Sequence, residues 1–530
     1  MKHKGFIAFF IFLMIPLVLF GGGKGEKPVV SQGPVELTYF QILGPRAAAT
    51  MKSYSEMYQF QVLEKNFNVK FKFLHPPAGQ EIEQFNLMIA SKDLPDFISY
   101  NYGNIPGGPG TLISERIIIK LNDVFQKYAP NVSKILNENP DAAREVMLDD
   151  GTYYMFPFLR LATNVRLNGG PSIRQDWLDR LGLKKPETIE EWYTVLKAFK
   201  EKDANGNGDP NDELPLVSLG DEVFRQVFTA AWGIRMDFFI GNDKKVRWGP
   251  IEPAYRDFLA TMAKWYKEGL IDPDYITTDN RNLDAKVLGN KAGALFAWMN
   301  GSIGRYNSLK KNDPSFNLVG TIWPKTKEGI SYNINYQSAR LGDGQGVTIT
   351  TKNKQVELSA KLLDYAYGEE GNLLVNFGKL GETYVIENGK IKFTDLVLKN
   401  PKGLSPTNAL TMYCMGSSGT GGAFVQDPRY ATLLREAIPQ QVASEKVWAL
   451  SQFGLVPPPI QPSEADSSRL SKIMNEVNTY VSEMTNKIIM GVEPIAKFDE
   501  FVQIQERMGI REALAIQQKA YDAYMTRKVR

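Results

Sequence analysis

The sequence predicts an α/β protein of two lobes with a ligand cleft between them and a helical C-terminal region, and three observations lead there. A chain of 530 residues exceeds the ~250–300 residues at which a single hydrophobic core stops growing, so two lobes are expected. The first third alternates strand-like and helix-like segments, the pattern of a parallel sheet with helices on its faces. Beyond about residue 465 nearly everything is helical, with Leu470, Ile473, Val477, Tyr480, Val481 and Met484 on one apolar stripe.

Taken in order, Val35 to Phe40 alternates apolar and polar residues and reads as the first strand. Residues 47–66 are helix-like, Val69 to Leu74 alternates again, residues 81–91 are helical, and Leu94 to Tyr100 is a third strand. Ligands on parallel sheets sit beyond the carboxyl ends of the strands. That rule nominates Tyr39, Tyr100 and Tyr102 for a cleft, with capping of the sheet as the alternative. Tyr153 to Phe158 is a further strand, after which a second lobe begins. Thr188 and Glu191 form a capping box, each side chain reaching the other's backbone N–H. The helix they start, Ile189 to Lys200, carries Trp192, Val195, Leu196 and Phe199 at core spacing. Trp177 and Trp265 sit in similar apolar patterns, whereas Trp323 and Trp448 fit no pattern. The chain has no internal repeat.

Composition removes several functional classes. Hydrophobic residues make up 43% and charged residues 23%, so the chain can bury a core and is not disordered. Lys plus Arg number 62 against 59 acidic residues, and no basic stripe suited to nucleic acid exists. There are only 2 His, His3 and His75, which rules out a His-rich metal site and leaves one candidate for any triad. His75 ends a strand-like run and reads as a structural or rim residue. The single Cys414 can form no internal disulfide and is expected to be buried and inert. Carboxylates are plentiful, but none lies in a recognisable catalytic setting. The expectation is a binding protein, not an enzyme, with a polysaccharide-degrading enzyme, or a binding protein of the same fold for a peptide or another solute, as the alternatives.

Residues 1–23 read as a cleaved signal peptide: Lys2 and Lys4, the apolar run Phe6 to Phe20, then Gly21, Gly22 and Gly23. The run falls short of the roughly 20 apolar residues that span a bilayer, and Pro16 interrupts it. Glycine stands wherever a lipid-modified Cys would be needed, so a lipid anchor is not expected. Residues 24–34 form a tether.

The most specific local signal is the loop 203–213. Asp203, Asn205 and Asn207 place oxygen donors at alternate positions, Gly208 allows the sharp turn, and the carbonyl of Asp209 can complete a cage for calcium. Leu214 stands at the twelfth position, where an EF-hand has a bidentate Glu. Asp212 and Glu213, slightly early, can each supply that carboxylate. An Asx-turn loop without metal is the alternative.

Several stretches together resemble one family, the extracellular solute-binding proteins of ABC importers, in the branch of alginate-binding proteins and LipO-like lipoproteins. They are Ile173 to Leu183, the Thr188 capping box, the Asp203 loop running into Leu216, Trp265 to Pro273, Tyr367 to Gly371 and Ala520 to Tyr524. The resemblance implies a type II periplasmic-binding fold, with a first lobe of 35–163 plus about 341–408. The second lobe would be 164–340 plus about 409–530, carrying a structural calcium loop. It also implies a sugar oligomer in the cleft, handed to the importer's permease subunits by a monomer free in the periplasm or outside the cell. Three residues separate Asn207-Gly208 from Asp212, where the alginate-binding relatives have two. The lipidated Cys of the lipoprotein members is missing.

Sugar sites combine aromatic platforms with hydrogen-bonding side chains. Trp232 and Trp298 adjoin Gly-containing loops and are the expected platforms, with Asn300 and Ser302 as hydroxyl partners. Arg174 is a candidate for an acidic sugar or, equally, a packing ion pair.

Overall fold

The computed structural model of the chain describes residues 33–105, 108–335, 339 and 344–529; the leader and most of the tether lie outside them. Ten strands build two sheets. In chain order they are β1 Val35–Phe40, β2 Val69–Leu74, β3 Phe97–Asn101, β4 Phe156–Leu159, β5 Gly169–Arg174, β6 Leu214–Leu216, β7 Ala292–Trp298, β8 Leu318–Gly320, β9 Gln345–Ile349 and β10 Phe424–Val425.

The first sheet has the order β10-β4-β9-β3-β1-β2. β1 runs parallel to β2 and β3, with Val35 opposite Val69 and Phe40 opposite Leu74. β9 runs antiparallel to β3 and β4. The second sheet has the order β8-β5-β7-β6. There β5 is antiparallel to β7 and β8, while β6 and β7 are parallel. Each sheet has its own hydrophobic core. The C-terminal helices Glu464–Ile489, Phe498–Arg507 and Ile510–Thr526 complete the second core, burying Ile473, Val477 and Val481 of the predicted stripe. No helix among the described residues is long and apolar enough to cross a membrane.

Trp323 and Trp448, which no sequence pattern could place, are both buried and lie against β5 at Gly170. A Cβ at Gly170 would stand 2.7 Å from either indole. Glycine in mid-strand costs conformational entropy, and here it makes room for two rings.

Three expectations need correction. The helix expected over 47–66 is broken into Pro45–Ala48, a 3-10 turn Tyr54–Glu56 and Tyr58–Phe67. The break has a local cause: Ser53 and Glu56 form a capping box and restart the helix. The third strand begins at Phe97 and not Leu94, because Pro95 has no N–H for a ladder. Residues after 408 do not pass directly to the second lobe. β10 pairs with β4, and Met415 and Phe424 belong to the first core. A two-residue edge strand carries no periodicity for a sequence reading to detect.

Among the described residues, three segments that run between the lobes hydrogen-bond to one another, and the C-terminal tail returns to the first lobe, where Arg527 Nε donates to Asp149 Oδ1 at 2.8 Å. The Arg160 N–H donates to the Ala339 carbonyl at 2.8 Å, and Arg435 Nη1 donates to the Asn164 carbonyl at 2.9 Å. Asn164 Nδ2 in turn donates to the Pro428 carbonyl at 3.1 Å.

Candidate functional site

The carboxyl ends of β6 and β7 lie at one end of the second sheet, next to the crossing segments, and there β7 delivers Trp298. The residue is 36% exposed, whereas six of the other seven Trp are almost fully buried. Yet the ring is held. The Trp298 backbone N–H donates to Ser302 Oγ at 3.2 Å, and Phe296 meets the ring edge-to-face at 5.0 Å. Gly169 pairs with Trp298 across the sheet, where a Cβ would come within 3.1 Å of the indole. Asn300 is exposed and its Oδ1 accepts from Gln441 Nε2 at 2.9 Å. Ser302 turns inward, so its role is to fix the Trp298 backbone and not to meet a ligand.

The short helix Glu222–Gln226 packs on β7 and begins with a half-buried carboxylate that the sequence reading missed. Burial pushes the Glu222 carboxyl up to about 7, with the Trp298 side chain opposing the shift and Asp221 adding to it. Asp221 is itself paired with Arg225 at 2.9 Å. For an acid raised on folding, the cost is absent below the ordinary value of 4.5 and complete above about 7. Glu222→Gln is therefore expected to stabilise the fold at pH 8 by roughly 1–2 kcal/mol, after discounting a fuller shift for solvent screening, and to leave stability at pH 4 unchanged. Urea unfolding at the two pH values checks this.

Trp232 occupies a different position. It closes the 3-10 turn Phe228–Trp232, and Gly233 ends that turn in the left-handed region with φ 65. The ring stands edge-on to Phe258 at 5.5 Å. With Phe239, Tyr332 and Leu455 it lines a groove of about 1270 Å³, contained within the second lobe. Tyr332 leads directly into the second crossing segment.

For Tyr39, Tyr102 and Arg174 the packing alternative holds in place of ligand contact, and His75 and Cys414 lie as expected. Tyr39 points into the first core, 4% exposed, among Phe60, Phe71, Phe73 and Phe97. Tyr102 is fully buried, and its hydroxyl bonds the Ile98 carbonyl and Thr348 Oγ1 at 2.8 Å. Neither can meet a ligand. Tyr100 is half-buried and stacks on Phe85 with centroids 3.9 Å apart. Arg174 is buried at the far end of β5, five residues and about 16 Å from Gly169. Its guanidinium grips Asp176 with bonds of 2.9 and 2.6 Å and lies over Phe316 and Trp177, a packing ion pair. His75 is likewise structural: Nδ1 bonds the Gln41 carbonyl at 2.7 Å, and burial lowers its pKa. Cys414 is buried, and desolvation pushes its thiol up to about 12.

In the loop 203–213, Asp203 accepts the backbone N–H groups of Asn207 at 3.0 Å and Gly208 at 2.9 Å. Asn205 Nδ2 and Asn207 Nδ2 both donate to Asp212, at 2.7 and 3.1 Å, and Lys291 stands 3.7 Å from the same carboxylate. Asn207 Oδ1 accepts from the Asp209 N–H at 2.7 Å. Glu213 is 1% exposed; one oxygen accepts from the Asn205 N–H, while Oε2 is buried without a partner. Among the described residues no three His, Cys, Asp or Glu side chains gather closely enough to hold a metal by themselves, so a cation in this loop would also need the Asn205 and Asn207 oxygens. A buried, orphaned carboxylate oxygen within a loop of oxygen donors fits a hard cation such as calcium.

Two α/β lobes, three crossing segments and an exposed aromatic ring at a sheet end define a two-lobed solute-binding protein. The chain belongs to the bacterial extracellular solute-binding protein family, whose sequence model matches residues 48–373, and it is an exported binding protein by that membership. It is 27% identical over 463 residues to the fructooligosaccharide ABC transporter substrate-binding protein FusA of Streptococcus pneumoniae, covering 84% of this chain and 83% of FusA. The crystal structure of the alginate-binding protein AlgQ2 without calcium ion superposes with a TM-score of 0.69 at 29% identity, covering 93% of this chain and 99% of AlgQ2. FusA as an EF-hand mutant in complex with fructo-nystose superposes with a TM-score of 0.68 at 25% identity, covering 93% of this chain and 100% of that one.

Proposed function

We propose that this chain is the substrate-binding component of an ABC importer, capturing an oligosaccharide outside the cytoplasmic membrane and delivering it to the permease, with no catalysis of its own. The observation that carries the reading is the groove of about 1270 Å³ floored by Trp232, Phe239 and Tyr332. It exceeds the ~300–1,000 Å³ of small-molecule sites and pairs aromatic faces with a polar rim, which suits an oligomer of sugar rings. Trp298 offers a second platform, with Asn300 beside it. Both surfaces belong to the second lobe, so closure over a sugar bound there requires the first lobe to add contacts that only the closed arrangement provides. The fructooligosaccharide binding of FusA and the alginate binding of AlgQ2 support the sugar class.

Export is by the leader 1–23, and the working form is a monomer. Calcium belongs to the loop, held by Asp203, Asn205, Asn207, the Asp209 carbonyl and Glu213, with Asp212 orienting the two Asn amides. Bound there, it would fasten the loop structurally.

A thermal-shift panel of oligosaccharides and peptides tests the assignment. An oligosaccharide at 100 times its dissociation constant should stabilise by about 2.7 kcal/mol. A response to peptides alone would remove the sugar assignment, and release of reducing ends from a polysaccharide would make the chain an enzyme.

A further inference from the structure

The rim of the Trp232 groove is acidic. Glu190, Asp243, Glu252, Asp257 and Glu328 line it, against Arg247, Lys325 and Lys327. The cations are largely committed. Arg247 is held between Asp243 at 3.0 Å and Glu252 at 3.3 Å, and Lys325 pairs with Glu187, which lies outside the groove. Glu190, Asp257 and Glu328 are exposed; no ion pair engages Glu190 or Asp257 among the described residues, while the Thr326 hydroxyl and Lys327 hold the Glu328 carboxyl below its usual value. The second platform repeats the theme. The charges around Trp298 are Glu222, which has no cationic partner among the described residues, and the ion pairs Asp221–Arg225 and Arg305–Asp284.

We infer that the site selects uncharged oligosaccharides and rejects uronate-containing ones, an inference that rests on the oligosaccharide reading above. A uronate carries one carboxylate per ring. Seated in the groove, it would share that space with the unpaired carboxylates of Glu190 and Asp257 and be repelled by them, less so as salt screens the charges. Uncharged rings bring only C–H faces and hydroxyl donors, which both the aromatic floor and the acidic rim accept. Like-charge juxtaposition works here as discrimination against the wrong partner.

The test is calorimetric titration of the exported chain with uncharged trisaccharides (fructo-, malto-, cello- and manno-series) and with galacturonate, mannuronate and guluronate trisaccharides. At 50 mM salt at least one uncharged sugar should bind, and every uronate should bind at least about tenfold more weakly. The gap should narrow at 500 mM salt, since these carboxylates are exposed to screening. The variant Glu190→Gln/Asp257→Asn/Glu328→Gln alters only surface groups. It should narrow the gap between the uronates and the uncharged sugar at 50 mM salt by tightening uronate binding, whatever the rim amides do to the uncharged sugar. A uronate that binds as well as the best uncharged sugar, or a gap that the variant leaves intact, overturns the inference while sparing the sugar reading. Binding of a non-sugar solute with no sugar of either kind overturns the reading beneath it.

Discussion

Chelating divalent cations from the purified chain is expected to cost on the order of 4 kcal/mol of stability, the amount that a ligand at about 1,000 times its dissociation constant contributes. In a thermal scan that is a drop of roughly 4–7 °C, depending on whether the whole chain or the second lobe unfolds as the unit. The reasoning starts at Glu213, 1% exposed with Oε2 unpaired. A buried acceptor without a partner is destabilising by itself, and native folds seldom tolerate one unless something else satisfies it. The loop joins the helix Ile189–Glu201 to β6, so its geometry sets how that helix, with Trp192, Leu196 and Phe199, meets the sheet. Calcium should restore the melting temperature where magnesium restores less, because the irregular set of oxygens suits the larger ion. Glu213→Gln should remove most of the chelator response and leave the chelated melting temperature nearly unchanged. If chelation moves nothing and the isolated protein carries no calcium, the loop is an Asx-turn connection and Glu213 is an unexplained orphan.

Much of the framework was legible because it is local. The alternation in Val35–Phe40 and Val69–Leu74, and the box of Thr188 and Glu191, lie within a few residues of chain and appear in the structure at the same bounds. What sequence could not show is which side of a strand end faces the core. Tyr39 and Tyr102 are near the carboxyl ends of β1 and β3 as expected, yet both turn inward, because the pleat alternates faces and only the register decides which residue is presented. Arg174 shows the same gap: its partners Asp176 and Phe316 are brought together by the pairing of β5 with β8. The groove was invisible because its wall comes from residues near 190, 232–257, 325–332 and 455. Trp298, by contrast, could be nominated from a single segment, since β7 ends in a glycine-containing turn.

Replacing Trp298 by Ala is expected to weaken oligosaccharide binding by about 30- to 1,000-fold, equivalent to the ~2–4 kcal/mol of an aromatic hot spot, while costing roughly 1–2 kcal/mol of stability, less than a fully buried Trp. The two halves of that expectation come from the same geometry. At 36% exposure the residue contributes less to the core than a fully buried Trp, and the backbone beneath it stays bonded to Ser302 whatever the side chain. Trp323, fully buried, provides the contrast, since Trp323→Ala should cost roughly 3–5 kcal/mol of stability. Trp298→Phe should retain part of the affinity, because a flat face remains over Gly169. Gly169→Val should mimic the loss, since a side chain there must displace the indole that now lies 3.1 Å from the Cβ position. Calorimetric titration of these variants, with urea unfolding run in parallel, separates the effects. Were Trp298→Ala to bind within threefold of the parent, the platform role would pass to Trp232 alone, and the ring held by Phe296, Ser302 and Gly169 would need another purpose.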